Sequence, residues 1–234
     1  DMSGLFATLD LMAEIGAAAG LPPPLLVQTD DPDQLEAALA LAPAPLRPRS
    51  DFLPPTDKRG LLTTAVAEML RQGEAAVGRI PLPKGAPFGA VVVDATACTL
   101  CHACTSACPA GALSDNPERP ELRFTETACV QCGLCEATCP ENAITLRPGI
   151  DLAAWDSPRR ILHEEEPFAC ITCAKPFGTA SGIRRVQDRL AGHWMFTGTA
   201  GAARLRHLEM CEDCRVRAAV QAGFDPHGDG DGAA

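Results

Sequence analysis

The chain has 234 residues, of which 46% are hydrophobic and 21% charged, so it can bury a core and is neither fibrous nor a disordered tail. Aromatic residues make up only 4%, so the core must consist of small aliphatic side chains or be held together by something other than apolar packing. The formal charge of −10 disfavours sequence-independent binding to nucleic acids and favours basic protein partners.

The N-terminal part is predicted to be an α/β segment over residues 1–79, and residues 1–89 contain no cysteine. We expect three helices, which span Ser3–Ala19, Gln34–Leu41 and Lys58–Arg71. Asp31 is the expected cap of the second helix, Pro43 its stop, and Thr56 or Asp57 the cap of the third. A short strand is predicted at Leu25–Val27, and residues 71–89 are interpreted as a linker.

One cysteine motif then occurs twice, with an offset of 31 residues. The first copy has Cys98, Cys101, Cys104 and Cys108 before Pro109, and the second has Cys129, Cys132, Cys135 and Cys139 before Pro140. Each copy follows a predicted strand, at Ala90–Val93 or at Leu122–Thr125. We therefore predict one strand–helix–strand unit that is used twice.

This spacing is typical of the bacterial motif that binds [4Fe–4S] clusters, in which three cysteines surround one face of the cluster. The fourth cysteine is expected to leave the loop on a helix, and in two-cluster ferredoxins it ligates the other cluster. The predicted ligand sets are Cys98, Cys101, Cys104 and Cys139 for one cluster, and Cys129, Cys132, Cys135 and Cys108 for the other. Zinc binding or disulfides by these eight cysteines are the disfavoured alternative. His102, inside the first loop, is interpreted as a solvated residue or as one that tunes the reduction potential.

Two further pairs, Cys170 with Cys173 and Cys211 with Cys214, predict a small domain of zinc-ribbon or treble-clef type over residues 151–224. The first pair is placed in a turn and the second at the start of a helix over Cys211–Val220, whose N-terminus stabilises thiolates. A closed set of four cysteines favours structural zinc. A further iron–sulfur or rubredoxin-like iron site and a dithiol redox pair stay open as alternatives.

Seven arginines lie between Gly178 and Arg217, several of them on a helix predicted over Gly182–Ala191. They form either a solvated helix face or a docking surface for an acidic partner. Trp194 and Phe196 are expected in the core of the small domain, and Glu164–Glu166 in a solvated linker. Residues 225–234 are expected to be a disordered tail.

Several shorter segments accompany the cysteine motifs, and together they carry a family resemblance. They are LPKGAPFG at 82–89, EEEPF at 164–168, CITCAKPFG at 170–178, HWMF at 193–196 and MCEDCR at 210–215. Over residues 80–220 the chain resembles bacterial ferredoxin-like 4Fe-4S proteins found alongside molybdenum- or tungsten-dependent formate dehydrogenases. The resemblance implies electron transfer near a formate-oxidising system. Family members look longer at the N-terminus and carry further cysteines there, which leaves open that the chain beginning at Asp1 is a segment of a longer protein.

The predicted fold is α+β, with a two-cluster ferredoxin-like domain of pseudo-twofold β-α-β repeats over residues 80–150 between the two flanking parts. The predicted function is electron transfer to or from a redox protein such as formate dehydrogenase, without catalytic residues. An assembly or interaction factor with structural or redox-sensing clusters, and an electron-entry module of a larger enzyme, are the alternatives. The thiolate-ligand spacing favours a reducing cytoplasm, and no segment is apolar enough to span a membrane.

Overall fold

The computed structural model describes residues 2–24, 26–41, 51, 53–72, 78–157 and 159–221. The predicted tail at 225–234 and the predicted helix stop at Pro43 lie outside these residues. None of the described helices combines the length and the apolar character needed to cross a membrane.

The N-terminal part consists of three helices, α1 (Met2–Ala18), α2 (Pro32–Ala40) and α3 (Lys58–Gln72), as predicted. The carboxylate of Asp31 accepts a hydrogen bond from the Asp33 backbone N–H at 2.9 Å, and Asp57 accepts one from the Gly60 N–H at 2.6 Å. Each therefore satisfies a free N–H at the start of its helix.

The strand predicted at 25–27 is wrong, because Leu26 and Val27 are irregular and the described residues before Ile80 form no strand. Three prolines at 22–24 come just before it. Proline has no N–H for a sheet ladder, so this segment is a poor partner for another strand.

Helices α1 and α3 pack on the segment that was predicted to be a linker. This segment includes β1 (Ile80–Pro81) and buries Leu82, Ala86 and Phe88. These side chains join Ile15 and other residues of α1 and α3 in one hydrophobic core that contains no cysteine. The linker prediction is therefore wrong for residues 80–88. Their apolar side chains pack against the N-terminal helices.

The two cysteine motifs each lie in a strand–helix–strand unit. The first unit contains β2 (Gly89–Val93), α4 (Ala103–Ser106) and β3 (Leu113–Ser114), and the second contains β4 (Glu121–Phe124), α5 (Leu134–Thr138) and β5 (Ile144–Ile150). Strand β2 pairs antiparallel with β5, and β3 with β4, so each ladder joins one strand from each unit. Both predicted strands are confirmed.

The next two elements, α6 (Leu152–Asp156) and β6 (Arg160–Glu164), belong to this middle part rather than to the C-terminal domain predicted from residue 151. Strand β6 pairs with β4 and completes the sheet β3-β4-β6. Trp155 of α6 lies 5.5 Å from Phe88, measured between ring centroids. The packing of the C-terminal part therefore begins after β6.

The C-terminal part contains the hairpin β7 (Pro167–Ala169) and β8 (Pro176–Thr179), followed by α7 (Ala180–Leu190), α8 (Gly198–Arg206) and α9 (Glu212–Gln221). The predicted helices at 182–191 and 211–220 are confirmed. Trp194 was expected in the core but is 77% exposed. The centre of this part is formed by cysteines with Phe177 and Met210 packed against them, which leaves the indole at the surface.

Candidate metal centres

The first site is a small cavity lined by Cys98, Cys101, Cys104 and Cys139. Three of these cysteines come from the first motif, and Cys139 comes from the second. Leu100, Leu122 and Ile144 form apolar walls of the cavity and are themselves buried. The folding of the two units against each other thus joins residues that are remote in sequence.

The second site is a similar small cavity lined by Cys108, Cys129, Cys132 and Cys135. Its composition mirrors the first, because Cys108 comes from the first motif and the other three from the second. In both sites the short helix carries the third cysteine of its motif, Cys104 in α4 or Cys135 in α5. The prediction that the fourth cysteine leaves on a helix is wrong, since Cys108 and Cys139 follow the ends of these helices.

The two ligand loops share one backbone path. Leu100 and Gln131 occupy equivalent positions and have φ of 51° and 55°, while His102 and Gly133 have φ of 57° and 81°. All four residues are thus in the left-handed region. Burial raises the pKa values of Cys98 and Cys129. The turn directs the backbone N–H of Leu100 to Cys98 and that of Gln131 to Cys129, and these hydrogen bonds offset part of the rise.

Burial dominates the electrostatics of the inner cysteines. Burial, followed by the charges of the neighbouring thiols, raises the pKa of Cys104 to about 12 and that of Cys135 to about 11. Four clustered thiolates without a cation would repel one another in such a setting. A metal centre supplies the compensating positive charge and displaces the protons.

The spread of the sulfur atoms separates these two sites from the third group of cysteines. Among the described residues, only Cys170, Cys173, Cys211 and Cys214 have ligand atoms that all lie within 4.8 Å of one another. No three sulfurs of the first or the second site all lie within that distance of one another. A cubane cluster offers a separate iron corner to each thiolate, so spread sulfurs around a cavity fit a cluster, and the soft thiolate ligands suit iron.

The four-cysteine site consists of Cys170, Cys173, Cys211 and Cys214. The first two lie in the turn between β7 and β8, and the last two lie at the start of α9. The Sγ atoms of Cys173 and Cys211 are 3.7 Å apart. Four sulfurs at about 2.3 Å from one metal ion, arranged as a tetrahedron, are separated by about 3.8 Å. The site therefore fits a single tetrahedral metal ion and is too compact for a cubane.

One cysteine of this site is prepared to ionise. Although burial opposes ionisation, hydrogen bonds from the backbone N–H groups of Cys211 at 3.3 Å and Thr172 at 3.5 Å lower the pKa of Cys170 to about 6. Hydrogen bonds with neighbouring sulfurs, Cys173 first, and burial raise the pKa of Cys214 to about 12. The fold therefore provides one thiolate at neutral pH, and a bound cation lowers the cost of the others.

Two residues beside the second site were missed by sequence reasoning. The Arg59 guanidinium, half-buried on α3, donates to the backbone carbonyls of Thr127 at 2.8 Å and Cys129 at 2.6 Å. Gln131 Nε2 donates to Cys129 Sγ at 3.4 Å and to the Ala90 carbonyl at 3.2 Å. Nothing in the sequence around Arg59 indicates this contact, whereas the difference between Gln131 and Leu100 is visible when the two motif copies are aligned.

Different residues surround the first site. Glu165, predicted to be in a solvated linker, accepts a hydrogen bond from Ser181 and lies 3.4 Å from His163 Nε2. Burial raises the pKa of Cys98, and the charges of Cys139, Cys101 and, last, Glu165 add to the rise. The linker prediction for Glu165 is wrong, because α7 packs against it. His102 lines the cavity, and within the described part of the chain its Nδ1 is buried without a hydrogen-bond partner.

Residues 97–144 match the family model of the 4Fe-4S dicluster domain. The matched segment contains all eight cysteines of the first and second sites. No curated protein shows a significant match to the chain. All twelve cysteines lie among the described residues, and none forms a disulfide. The match and the clustered cysteines support a ferredoxin-like iron–sulfur protein.

Proposed function

We propose that the protein is an electron carrier that holds two [4Fe–4S] clusters, one at the first site and one at the second. The observation that carries this proposal is the pair of adjacent cavities, each lined by four cysteines drawn from both motif copies. A bound cluster supplies reversible one-electron chemistry. The protein's own residues hold it, shield it from water and set its potential.

The ligand sets of this proposal are crossed, with Cys139 in the first site and Cys108 in the second. The lining of the two cavities supports this assignment. Apolar side chains fill the remaining walls, among them Leu122 at the first site and Phe124 at the second, both nearly inaccessible. Burial of this kind excludes solvent and favours electron exchange only at the exposed edges.

The exposed edges of the two sites are Cys101 and Cys132, which lie at equivalent positions of the repeat. We propose that redox protein partners dock there. The partner class suggested by the family resemblance is a formate dehydrogenase, and a reducing compartment such as the cytoplasm suits the twelve reduced cysteines.

The arginines that already have partners within the chain indicate the charge of the proposed redox partner. Arg185 and Arg189 both pair with Glu141, at 2.6 and 3.3 Å, while Arg204 and Arg215 donate to backbone carbonyls of the C-terminal part. Four of the seven arginines thus have internal partners. This supports a basic partner, attracted by the overall charge of −10, over an acidic one.

The four-cysteine site is proposed to bind structural zinc. Three of its cysteines are buried and its four sulfurs leave no open coordination position, which is typical of structural rather than catalytic zinc. A single iron ion has the same geometry and is the alternative that metal analysis distinguishes.

The proposal includes no substrate chemistry. Ser181, Glu165 and His163 do lie in contact, but the carboxylate sits between the hydroxyl and the imidazole. A nucleophilic serine needs the imidazole next to its hydroxyl. This group therefore has the wrong order for acyl transfer, and the described residues offer no other serine–histidine–acid contact.

Anaerobic reduction by dithionite, followed by electron paramagnetic resonance, tests this function. We expect the protein to take up about two electrons per chain and to return them to a one-electron acceptor with no loss of iron. Clusters that bind but take up no electrons would contradict an electron carrier and support an assembly or interaction factor.

A further inference from the structure

The first and second sites are equivalent in the repeat but differ in the groups that touch their cysteines. Leu100 and Gln131 have the same left-handed backbone, and each donates its N–H to the first cysteine of its own motif. Only Gln131 adds a side-chain donor, which reaches Cys129 Sγ at 3.4 Å. Leucine at the equivalent position of the first site has no donor to offer.

The second site also has a neighbouring cation that pairs with no carboxylate of the described residues. Arg59 donates to the carbonyls of Thr127 and Cys129, and its guanidinium lies 4.6 Å above the ring of Phe88. Arg59 therefore lies directly against the backbone of Cys129, one of the proposed ligands of the second site.

The other charges near the second site compensate one another. Arg79 and Arg160 both pair with the buried Glu126, at 2.7 and 3.1 Å, and Asp151 lies 3.9 Å from Arg79. The carboxylate of Glu136 is exposed on α5, where water and salt screen it. Arg59 therefore leaves an excess of positive charge beside the sulfurs.

The charges at the first site are arranged differently. The carboxylate of Glu165 is connected to the first ligand loop: it accepts from Ser181, whose hydroxyl contacts Thr179, and Thr179 donates to the carbonyl of Thr99. Glu141 lines the first cavity, and the exposed Arg185 and Arg189 both pair with it, so solvent and salt screen the one excess positive charge of this group. The groups around the first site therefore stabilise an added negative charge less than the groups around the second site do.

We infer that the second site has the higher reduction potential, and that Arg59 and Gln131 set the difference. Reduction adds one negative charge to a site, which a cation and an N–H donor stabilise and a carboxylate destabilises. In the singly reduced protein the electron then resides at the second site. This inference rests on the proposed function. We expect at least a tenfold preference, which corresponds to about 59 mV for a one-electron couple.

A potentiometric titration of the full chain, followed by electron paramagnetic resonance, tests the inference. The wild type should show two one-electron waves. Gln131→Leu, which copies the residue that the first loop already accommodates, and Arg59→Gln should each lower the higher wave. Glu165→Gln, which keeps the acceptor for Ser181, should raise the lower wave.

Matched controls carry the same charge changes away from the sites. Arg71→Gln alters the far end of α3, where Arg71 pairs with Asp156 at the surface, and Glu166→Gln alters an exposed neighbour of Glu165. Both should leave the two waves in place. Controls that shift the waves as much as the test variants would overturn the inference.

The outcomes also separate this inference from the proposed function. A protein without two clusters, or with clusters that take up no electrons, would contradict the proposed function. If both clusters titrated at the same potential, only the inferred order would be overturned. The same holds if Gln131→Leu lowered the potential of the lower wave instead of the higher one. Unchanged waves in Gln131→Leu and Arg59→Gln would show that these residues do not tune the sites.

Discussion

Cys139 and Cys108 each line the cavity whose other three cysteines belong to the other motif. Cys139 is the fourth cysteine of the second motif and lines the first cavity, while Cys108 does the reverse. Each cavity is therefore complete only when both units are folded against each other. This makes the ligand assignment a test of the tertiary structure as well as of the chemistry.

The first prediction concerns this crossed arrangement. Cys98→Ala and Cys139→Ala should damage the same cluster, and Cys108→Ala the other, because each site loses one of its four thiolates. Potentiometric titration should therefore show the same surviving wave in the first two variants and a different one in the third. Different surviving waves in Cys98→Ala and Cys139→Ala would contradict the crossed ligand sets.

The second prediction concerns the four-cysteine site. Cys211→Ala removes a buried thiolate at the start of α9 and should release the zinc while both cluster signals remain. Metal analysis with paramagnetic resonance measures both effects. Thr172→Ala is the control, since Thr172 contacts Cys170 through its backbone N–H, which the variant keeps. Loss of a cluster signal in Cys211→Ala would show that the zinc assignment is wrong.

The start of α7 connects the C-terminal part to the first ligand loop. Thr179 Oγ1 accepts from the Gly182 N–H at 3.1 Å and donates to the carbonyl of Thr99, between two cysteines of the first site, at 3.2 Å. One hydroxyl therefore caps the helix and fixes its position against the loop.

The third prediction follows from this contact. Thr179→Val keeps the shape of the side chain but loses both hydrogen bonds, and it should lower the free energy of unfolding by about 1–2 kcal/mol. Denaturant unfolding of the loaded protein measures the change. Thr145→Val is the control, because Thr145 is exposed on β5 and its hydroxyl makes no hydrogen bond among the described residues, and it should change the free energy of unfolding by less than about 0.5 kcal/mol. Equal effects of the two variants would contradict the role of Thr179.

The sequence could predict those elements whose signals are local. Helices α1 to α3 follow from capping residues and periodicity, and the two motifs with their flanking strands follow from the repeat. The folding of residues 80–88 onto α1 and α3 could not be predicted, because it depends on partners that are distant in sequence. For the same reason Arg59 has no local signal, and the exposure of Trp194 follows from a cysteine core whose size the spacing does not reveal.

Besides the small cysteine core of the C-terminal part, the described residues form two adjacent cores of different kinds. One contains six of the eight cluster cysteines, either buried within it or packed at its edge, with Leu122 and Phe124 among its apolar residues. The other lies between α1, α3 and residues 80–88 and contains no cysteine. With the two proposed clusters bound, the stability of the first core would include the free energy of metal binding. The second depends on apolar burial alone.

The fourth prediction concerns removal of the iron. Amides of β2 and β5 should lose their protection against hydrogen exchange when iron is chelated, because the core that these strands cover loses its clusters. Amides of α3 that cover the cysteine-free core should lose less. Hydrogen exchange of loaded and iron-free protein at one pH measures the difference. Equal loss in both regions would mean that the two cores unfold as one unit.

The measurement that tests the account most directly is the content of iron, acid-labile sulfide and zinc per chain in protein purified without oxygen. Two clusters and one tetrahedral zinc predict about eight irons, about eight sulfides and about one zinc. About nine irons without zinc would place a single iron ion at the four-cysteine site and keep the two clusters. Little iron with two or more zincs would contradict the account, because both cavities would then hold zinc, which carries no electrons.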